Sequence, residues 1–271
     1  MKVMIMGFGN MGKTYANGFI SSRFIKQDDI YVLSRNEVTN DGEFGIPRSN
    51  FFTNPTLIIS ELDIIILSVK PQDFAALAQT VQPFLNQNQL VLSVMAGVTI
   101  NRIKEELKVY KIIRSMPNIP TQIGMGMTVF SASSEVDRKE LFIVQNLINT
   151  TGKSVYVEKE ELLNAATAIS GSGPAYVFYF MDAMIQAAVE LGFNESEAEL
   201  LVNQTFMGSV AIQNSYSLSN EEWIKKVASK GGTTESALLI FQDTQVNEAI
   251  VKAMHAANAR AIELGSYTHQ K

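Results

Sequence analysis

The sequence contains no cysteine and only two histidines among its 271 residues. Without a thiol there is no disulfide, no thiolate nucleophile and no thiolate metal ligand. With His255 and His269 as the only imidazoles, a structural zinc site is excluded and no metal is expected. Charge is also sparse: 18% of the residues are charged, and 22 Lys and Arg against 27 Asp and Glu leave a net charge of −5. No stretch gathers basic side chains as a surface tracking phosphates would need, so nucleic acid is not an expected partner. No window reaches the roughly 18 consecutive apolar residues of a membrane span. The apolar start, residues 1–6, is too short for a signal-peptide core. A cytoplasmic protein with no membrane partner is the expectation.

What is present is a core-forming composition, 46% hydrophobic, in a chain long enough for about two domains of roughly 150 residues. Short β-rich apolar runs at 3–6, 30–33, 64–69, 90–94, 111–114 and 127–130 alternate with helix-length segments, the pattern of βαβ units around a parallel sheet. A last run, Val155-Tyr156-Val157, ends that pattern, and no strand candidate follows. The predicted fold class is α/β plus all-α: a Rossmann-like dinucleotide-binding domain at 1–158, then an all-helical domain at 159–271 for substrate binding and dimerisation.

The helical part has legible ends. Asn194 with Glu197, and Ser219 with Glu222, have the spacing of N-caps answered by an acid. Gly192 suits a helix C-terminus, and a final helix is expected from about 245 to 264, stopped by Gly265. The segment 174–191 (PAYVFYFMDAMIQAAVEL) is apolar nearly all round, so it must be buried on most sides. A second copy of the chain would cover it most easily; the alternative is a central helix within one monomer.

Gly7-Phe8-Gly9-Asn10-Met11-Gly12 follows a predicted strand and opens a predicted helix. In that context the first glycine permits a tight turn, the second lets the backbone approach a pyrophosphate, and the third allows close helix packing. A site preferring NAD would carry an acid at the end of the second strand. This chain has Ser34-Arg35-Asn36 there, three donors suited to a 2′-phosphate, which favours NADP(H).

Val69-Lys70-Pro71-Gln72, Met95-Ala96-Gly97 and Met116-Pro117-Asn118 each fall at the carboxyl end of a predicted strand, where open α/β sheets bind ligands. Ser170-Gly171-Ser172-Gly173-Pro174-Ala175-Tyr176 opens the apolar helix, and Ser229-Lys230-Gly231-Gly232-Thr233-Thr234 joins two helices. With these motifs in this order, the chain resembles the pyrroline-5-carboxylate reductase family along nearly its whole length.

The resemblance implies an oxidoreductase of proline biosynthesis that reduces the ring imine of 1-pyrroline-5-carboxylate to L-proline with hydride from NADP(H), NAD(H) being an alternative donor. It also implies a homodimer built through the C-terminal domain, with rings of dimers as a larger form. Carried over by position, Gly7, Phe8, Gly9, Asn10 and Met11 hold the pyrophosphate, and Ser34, Arg35 and Asn36 the 2′-phosphate end. Asn54 contacts the adenosine side, while Val69, Lys70, Pro71, Ala96 and Gly97 line the nicotinamide half. Gly232, Thr233, Thr234, Glu235 and Ser236 receive the substrate, and Glu160 matches an acidic position near it. Lys230 departs from the family pattern, which has proline there.

Reducing an imine asks for positioning, a bound carboxylate and a proton near nitrogen, since the dinucleotide carries the hydride. The Gly231-Gly232 pair ahead of a helix starting near Thr234 offers approachable N–H groups and a positive helix end for a carboxylate. Thr234 is the catalytic candidate, its hydroxyl meeting the imine nitrogen and relaying a proton from water. The bland alternative for this string is a helix C-cap followed by a Thr N-cap. Two other functions are weighed. A β-hydroxyacid dehydrogenase would need a lysine shortly after Gly173, where PAYVFYF stands. A non-catalytic paralogue, of which Lys230 could be a mark, would bind nucleotide without substrate-dependent turnover.

Overall fold

The computed structural model describes residues 1–36 and 44–267; His269 lies outside them. The apolar runs form strands β1 (Val3–Met6), β2 (Ile30–Leu33), β4 (Ile64–Leu67), β5 (Leu90–Ser93), β6 (Lys111–Met116), β7 (Gly126–Ala132) and β8 (Gly152–Tyr156). A short strand not foreseen from the sequence, β3 (Phe51–Phe52), sits at the edge beside β2. The eight make one sheet in the order β3-β2-β1-β4-β5-β6-β7-β8. Every pairing is parallel except that of β6 with β7.

The central strands β1, β4 and β5 are buried at every position, as their unbroken apolar runs require in a sheet covered on both faces. Met4 and Met6 face one layer, with Phe74, Ala78 and Val81 of α2 (Phe74–Val81) and Ile100, Ile103 and Leu107 of α3 (Ile100–Leu107). Val3 and Ile5 face the other, with Tyr15, Ala16 and Phe19 of α1 (Asn10–Ser21) and Val144, Leu147 and Ile148 of α4 (Arg138–Asn149). The order reverses direction at β1/β4, the switch point where open sheets of this kind bind ligands beyond the carboxyl ends of the strands.

A short helix, α5 (Leu162–Ala166), runs into one π-helical turn, Thr167–Gly171, and both pack on the sheet at β7. The helical remainder is α6 (Gly173–Glu190), α7 (Glu195–Ser215), α8 (Asn220–Val227), α9 (Thr233–Asp243) and α10 (Val246–Tyr267). Both predicted capping boxes are formed, Asn194 with Glu197 on α7 and Ser219 with Glu222 on α8. Gly192 has φ +108, as a helix-ending glycine should.

The chain forms two compact units, residues 1–172 with the described residues from Ala257 onward, and Gly173–Ala256. Leu163 of α5 and Ala168 of the π-helical turn are buried in the first. One feature departs from the sequence reading. Gly265 does not end α10, which continues to Tyr267. Its Cα lies 3.6 Å from where a Cβ on Gly97 would stand, so this glycine allows close approach to the loop after β5.

In the second unit α6 has no buried residue, and Val177, Phe178, Tyr179 and Met184 are all exposed on the single chain. A helix so apolar all round needs a covering surface in the assembled protein.

Candidate functional site

The glycine turn is built by exclusion. Gly7 has φ +97, and a Cβ there would lie 2.8 Å from the Val69 nitrogen and 2.9 Å from the Ser68 carbonyl oxygen. A Cβ on Gly12 would run into the Gly7 carbonyl oxygen. Ser68, directly after β4, fixes the turn by donating its hydroxyl to the Gly7 carbonyl at 2.6 Å. Gly9 is different: nothing lies within 4 Å of the place its Cβ would take. Gly9 is the N-cap of α1, in extended conformation and with no side-chain cap. The start of α1 thus has open space beside its N-cap and no side chain occupying its first N–H groups, an arrangement suited to a pyrophosphate. Phe8 is held edge-on against Phe44 and Phe51, with centroids 5.9 and 5.7 Å apart.

The strand ends align around this helix start. Met6 pairs with Leu33 and Leu67, and Leu67 with Ser93. Gly7, Ser34, Ser68 and Val94 thus stand in one row at the carboxyl edge of the sheet. Gly7 donates its N–H to the Leu33 carbonyl at 2.9 Å, and Ser34 donates its N–H to Phe52 at 3.0 Å. The Phe52 pairing brings Asn54 to the edge that carries Ser34, Arg35 and Asn36, and the Asn54 amide donates to the Thr53 hydroxyl at 3.3 Å. Arg35 is paired with Asp73 at 2.9 Å, a contact between the end of β2 and the turn at Pro71–Asp73. Val69, Lys70 and Pro71 follow β4 on the same edge. Ala96 and Gly97 follow β5, where Gly97 has φ +74.

Further along the edge, Glu160 uses one carboxylate oxygen twice, accepting from the Ile100 N–H at 2.9 Å and from the Arg114 guanidinium at 2.8 Å. Arg114 is only 5% exposed. Asn118 of the Met116-Pro117-Asn118 motif donates to the Ser170 carbonyl at 3.1 Å and accepts from the Met127 N–H at 2.8 Å, tying β7 to the π-helical turn. Gly171 lies close to the Met116 side chain, whose methyl would stand 2.9 Å from a Cβ there. The structure thus brings the glycine turn, the three strand-end motifs, Asn54 and Glu160 into the first unit. Ser68, Asp73 and Arg114 were missed from sequence. Only Ser68, directly before the VKPQ motif, had a positional signal.

The turn at 229–232 belongs to the second unit. Gly232 donates its N–H to the Ser229 carbonyl at 3.0 Å, and Gly231 has φ +71. Gly232, not a threonine, is the N-cap of α9, with no side-chain cap. Thr233 and Thr234 are the first two helical residues, and among the described residues their hydroxyls make no hydrogen bond. The Ser236 N–H is already used within the helix, donated to the Gly232 carbonyl at 3.2 Å. The Glu235 carboxylate turns back to accept from the Gly231 N–H at 2.6 Å.

Residues 160–264 match the family model for pyrroline-5-carboxylate reductase dimerisation, and residues 2–97 the model for NADP oxidoreductase, coenzyme F420-dependent. The chain is 34% identical to pyrroline-5-carboxylate reductase 2 of Bacillus subtilis, over 97% of this chain and 95% of that one. Among solved structures it resembles a pyrroline-5-carboxylate reductase from Coxiella burnetii, with TM-score 0.89 and 30% identity over 97% and 98% of the two chains. It also resembles the Plasmodium falciparum pyrroline carboxylate reductase with NADP bound, with TM-score 0.86 and 26% identity over 98% of each chain.

Proposed function

The chain belongs to the pyrroline-5-carboxylate reductase family, an NAD(P)H-dependent oxidoreductase acting on a cyclic imine, and from that premise we propose how its own residues do this work. Residues 1–158 hold the dinucleotide, and residues 159–271 receive the imine and join two copies. Gly7 to Met11 take the pyrophosphate, Ser34, Arg35 and Asn36 the 2′-phosphate end, and Asn54 the adenosine side. Val69, Lys70, Pro71, Ala96 and Gly97 line the nicotinamide half. The observation that carries this reading is the open space at Gly9 beside a helix start whose N–H groups have no side-chain cap. Bound there, the reduced nicotinamide supplies the hydride.

The chain's remaining task is to hold the imine and its proton. The uncommitted N–H groups of the first turn of α9 suit the substrate carboxylate. The Thr234 hydroxyl suits the imine nitrogen, donating a hydrogen bond as the amine forms and passing a proton from water. Gly232, Thr233, Glu235 and Ser236 shape that turn, and Glu160 contributes the carboxylate oxygen that Arg114 and Ile100 leave unused. The chain forms a dimer through its helical region, and the apolar surface of α6 is what that association covers. A ring of dimers in the cytoplasm, without nucleic acid or membrane, completes the proposal. The charge balance is acidic.

The test is loss of absorbance at 340 nm with 1-pyrroline-5-carboxylate and NADPH or NADH. Oxidation that requires the imine is expected. NADPH binding without imine-dependent oxidation would instead mark a non-catalytic paralogue. The same assay examines cofactor choice. Arg35→Gln is expected to lower kcat/KM for NADPH about ten-fold, the share of one charge-assisted contact to phosphate, with NADH changed less than about two-fold. Equal loss with both cofactors would remove Arg35 from the 2′-phosphate.

A further inference from the structure

The turn that leads into α9 is of a kind that can flip. Gly231 at its third position has φ +71, while Lys230 at its second is not among the residues with positive φ. With the Gly232 N–H on the Ser229 carbonyl, that is a type II turn. Types I and II differ by rotation of the central peptide, here the Lys230–Gly231 bond. In one form the Gly231 N–H faces one side of the turn; in the other the Lys230 carbonyl oxygen does. Proline at the second position presets φ near −60° and, followed by glycine, favours type II. Lysine does not restrict φ in this way.

The Glu235 carboxylate accepts from that same Gly231 N–H at 2.6 Å. After a flip it would meet a carbonyl oxygen instead, so its charge-assisted bond exists in one form only. Gly232, the N-cap, has no side chain with which to fix the turn. The orientation matters because a carbonyl turned toward the start of α9 would set a partial negative charge beside the N–H groups that an anionic substrate needs.

We propose that Glu235 is a positioning residue for the reductase reaction: its carboxylate locks the Lys230–Gly231 peptide of the turn before Thr234, a constraint this chain needs because its turn carries lysine at the second position. This inference rests on the reading that the turn receives the imine. The lock acts on substrate binding more than on the chemical step, so it predicts a split between KM and kcat.

The experiment measures imine-dependent NADPH oxidation in Glu235→Ala, Glu235→Gln and two double variants, Glu235→Ala with Lys230→Pro and Glu235→Ala with Lys230→Ala. Glu235→Ala is expected to raise KM for 1-pyrroline-5-carboxylate about ten-fold with kcat within about two-fold. Glu235→Gln, which keeps an acceptor oxygen, should fall between it and the wild type. Adding Lys230→Pro should return KM to within about three-fold of the wild type, because the ring restores the constraint by another route. Lys230→Ala removes the same charge without the ring and should not restore it. An unchanged or lowered KM in Glu235→Ala would overturn the proposal, and so would equal behaviour of the two double variants. Loss of melting temperature alone would reduce Glu235 to a helix cap. Failure of the underlying reading looks different: Thr234→Ala would then turn over at the wild-type rate, and the positioning role would fall with it.

Discussion

Thr234→Ala is expected to lower kcat/KM for 1-pyrroline-5-carboxylate by about two to three orders of magnitude, within the usual range for removal of a positioned proton donor. The variant should leave the NADPH dissociation constant and the melting temperature nearly unchanged. Thr234 is the second residue of α9, and its hydroxyl makes no hydrogen bond among the described residues. Removing it therefore strands no internal partner, and alanine has the highest helix propensity. The loss should appear mainly in kcat, since the hydrogen bond strengthens as the nitrogen gains electron density and basicity during reduction. Thr234→Ser keeps the hydroxyl and should stay within about ten-fold of the wild type. If alanine retained more than about a tenth of the activity, the proton would have to come from water alone, and Thr234 would lose its catalytic role.

The sheet was legible because its central strands are unbroken apolar runs, a pattern that burial on both faces demands. The caps of α7 and α8 were legible because a capping box is a local pattern, complete within four residues. Phe51-Phe52 was not: two residues carry no periodicity, and β3 exists only through its pairing with Val32 and Leu33. That omission had a consequence for the site, because β3 is what sets Asn54 at the same edge as Ser34. Gly265 carried the ordinary mark of a helix stop, yet the glycine serves proximity to Gly97 and α10 runs on. The glycine turn was readable as a motif, but the reason for Gly7 and Gly12 lies partly in Ser68 and Val69, about sixty residues away, which only the folded sheet brings near. Lys230 looked like a simple departure from a family pattern. Its meaning depends on the turn type and on where the Glu235 carboxylate reaches, and neither is written in the string.

Glu160 shows the same limit with a larger energetic stake. From sequence it is one of two adjacent acids at a helix start. In the fold it joins Arg114 of β6 to the Ile100 N–H at the start of α3, three residues after Gly97. Glu160→Ala would leave a guanidinium that is 5% exposed without its carboxylate, and an N–H at a helix start without an acceptor. For a fully buried pair such a loss costs about 3–5 kcal/mol; the Glu160 side chain keeps 23% of its surface exposed, so a cost of about 2–3 kcal/mol is expected. The thermal midpoint should therefore fall by several degrees. Because α3 follows the Ala96-Gly97 loop, the variant should also bind NADPH more weakly, an effect a purely substrate-contacting acid would not have. Glu160→Gln keeps the acceptor for Ile100 but gives up the ion pair, and should lose about half as much stability. The double variant Arg114→Met with Glu160→Ala removes the stranded cation and should recover part of the loss. A rise in KM for the imine that survives in that double variant is the result expected if the unused carboxylate oxygen meets the substrate, and its absence would remove Glu160 from that role. If the single and double variants show the same midpoint, Arg114 is not stranded by the loss of Glu160, and the ion pair contributes little to stability.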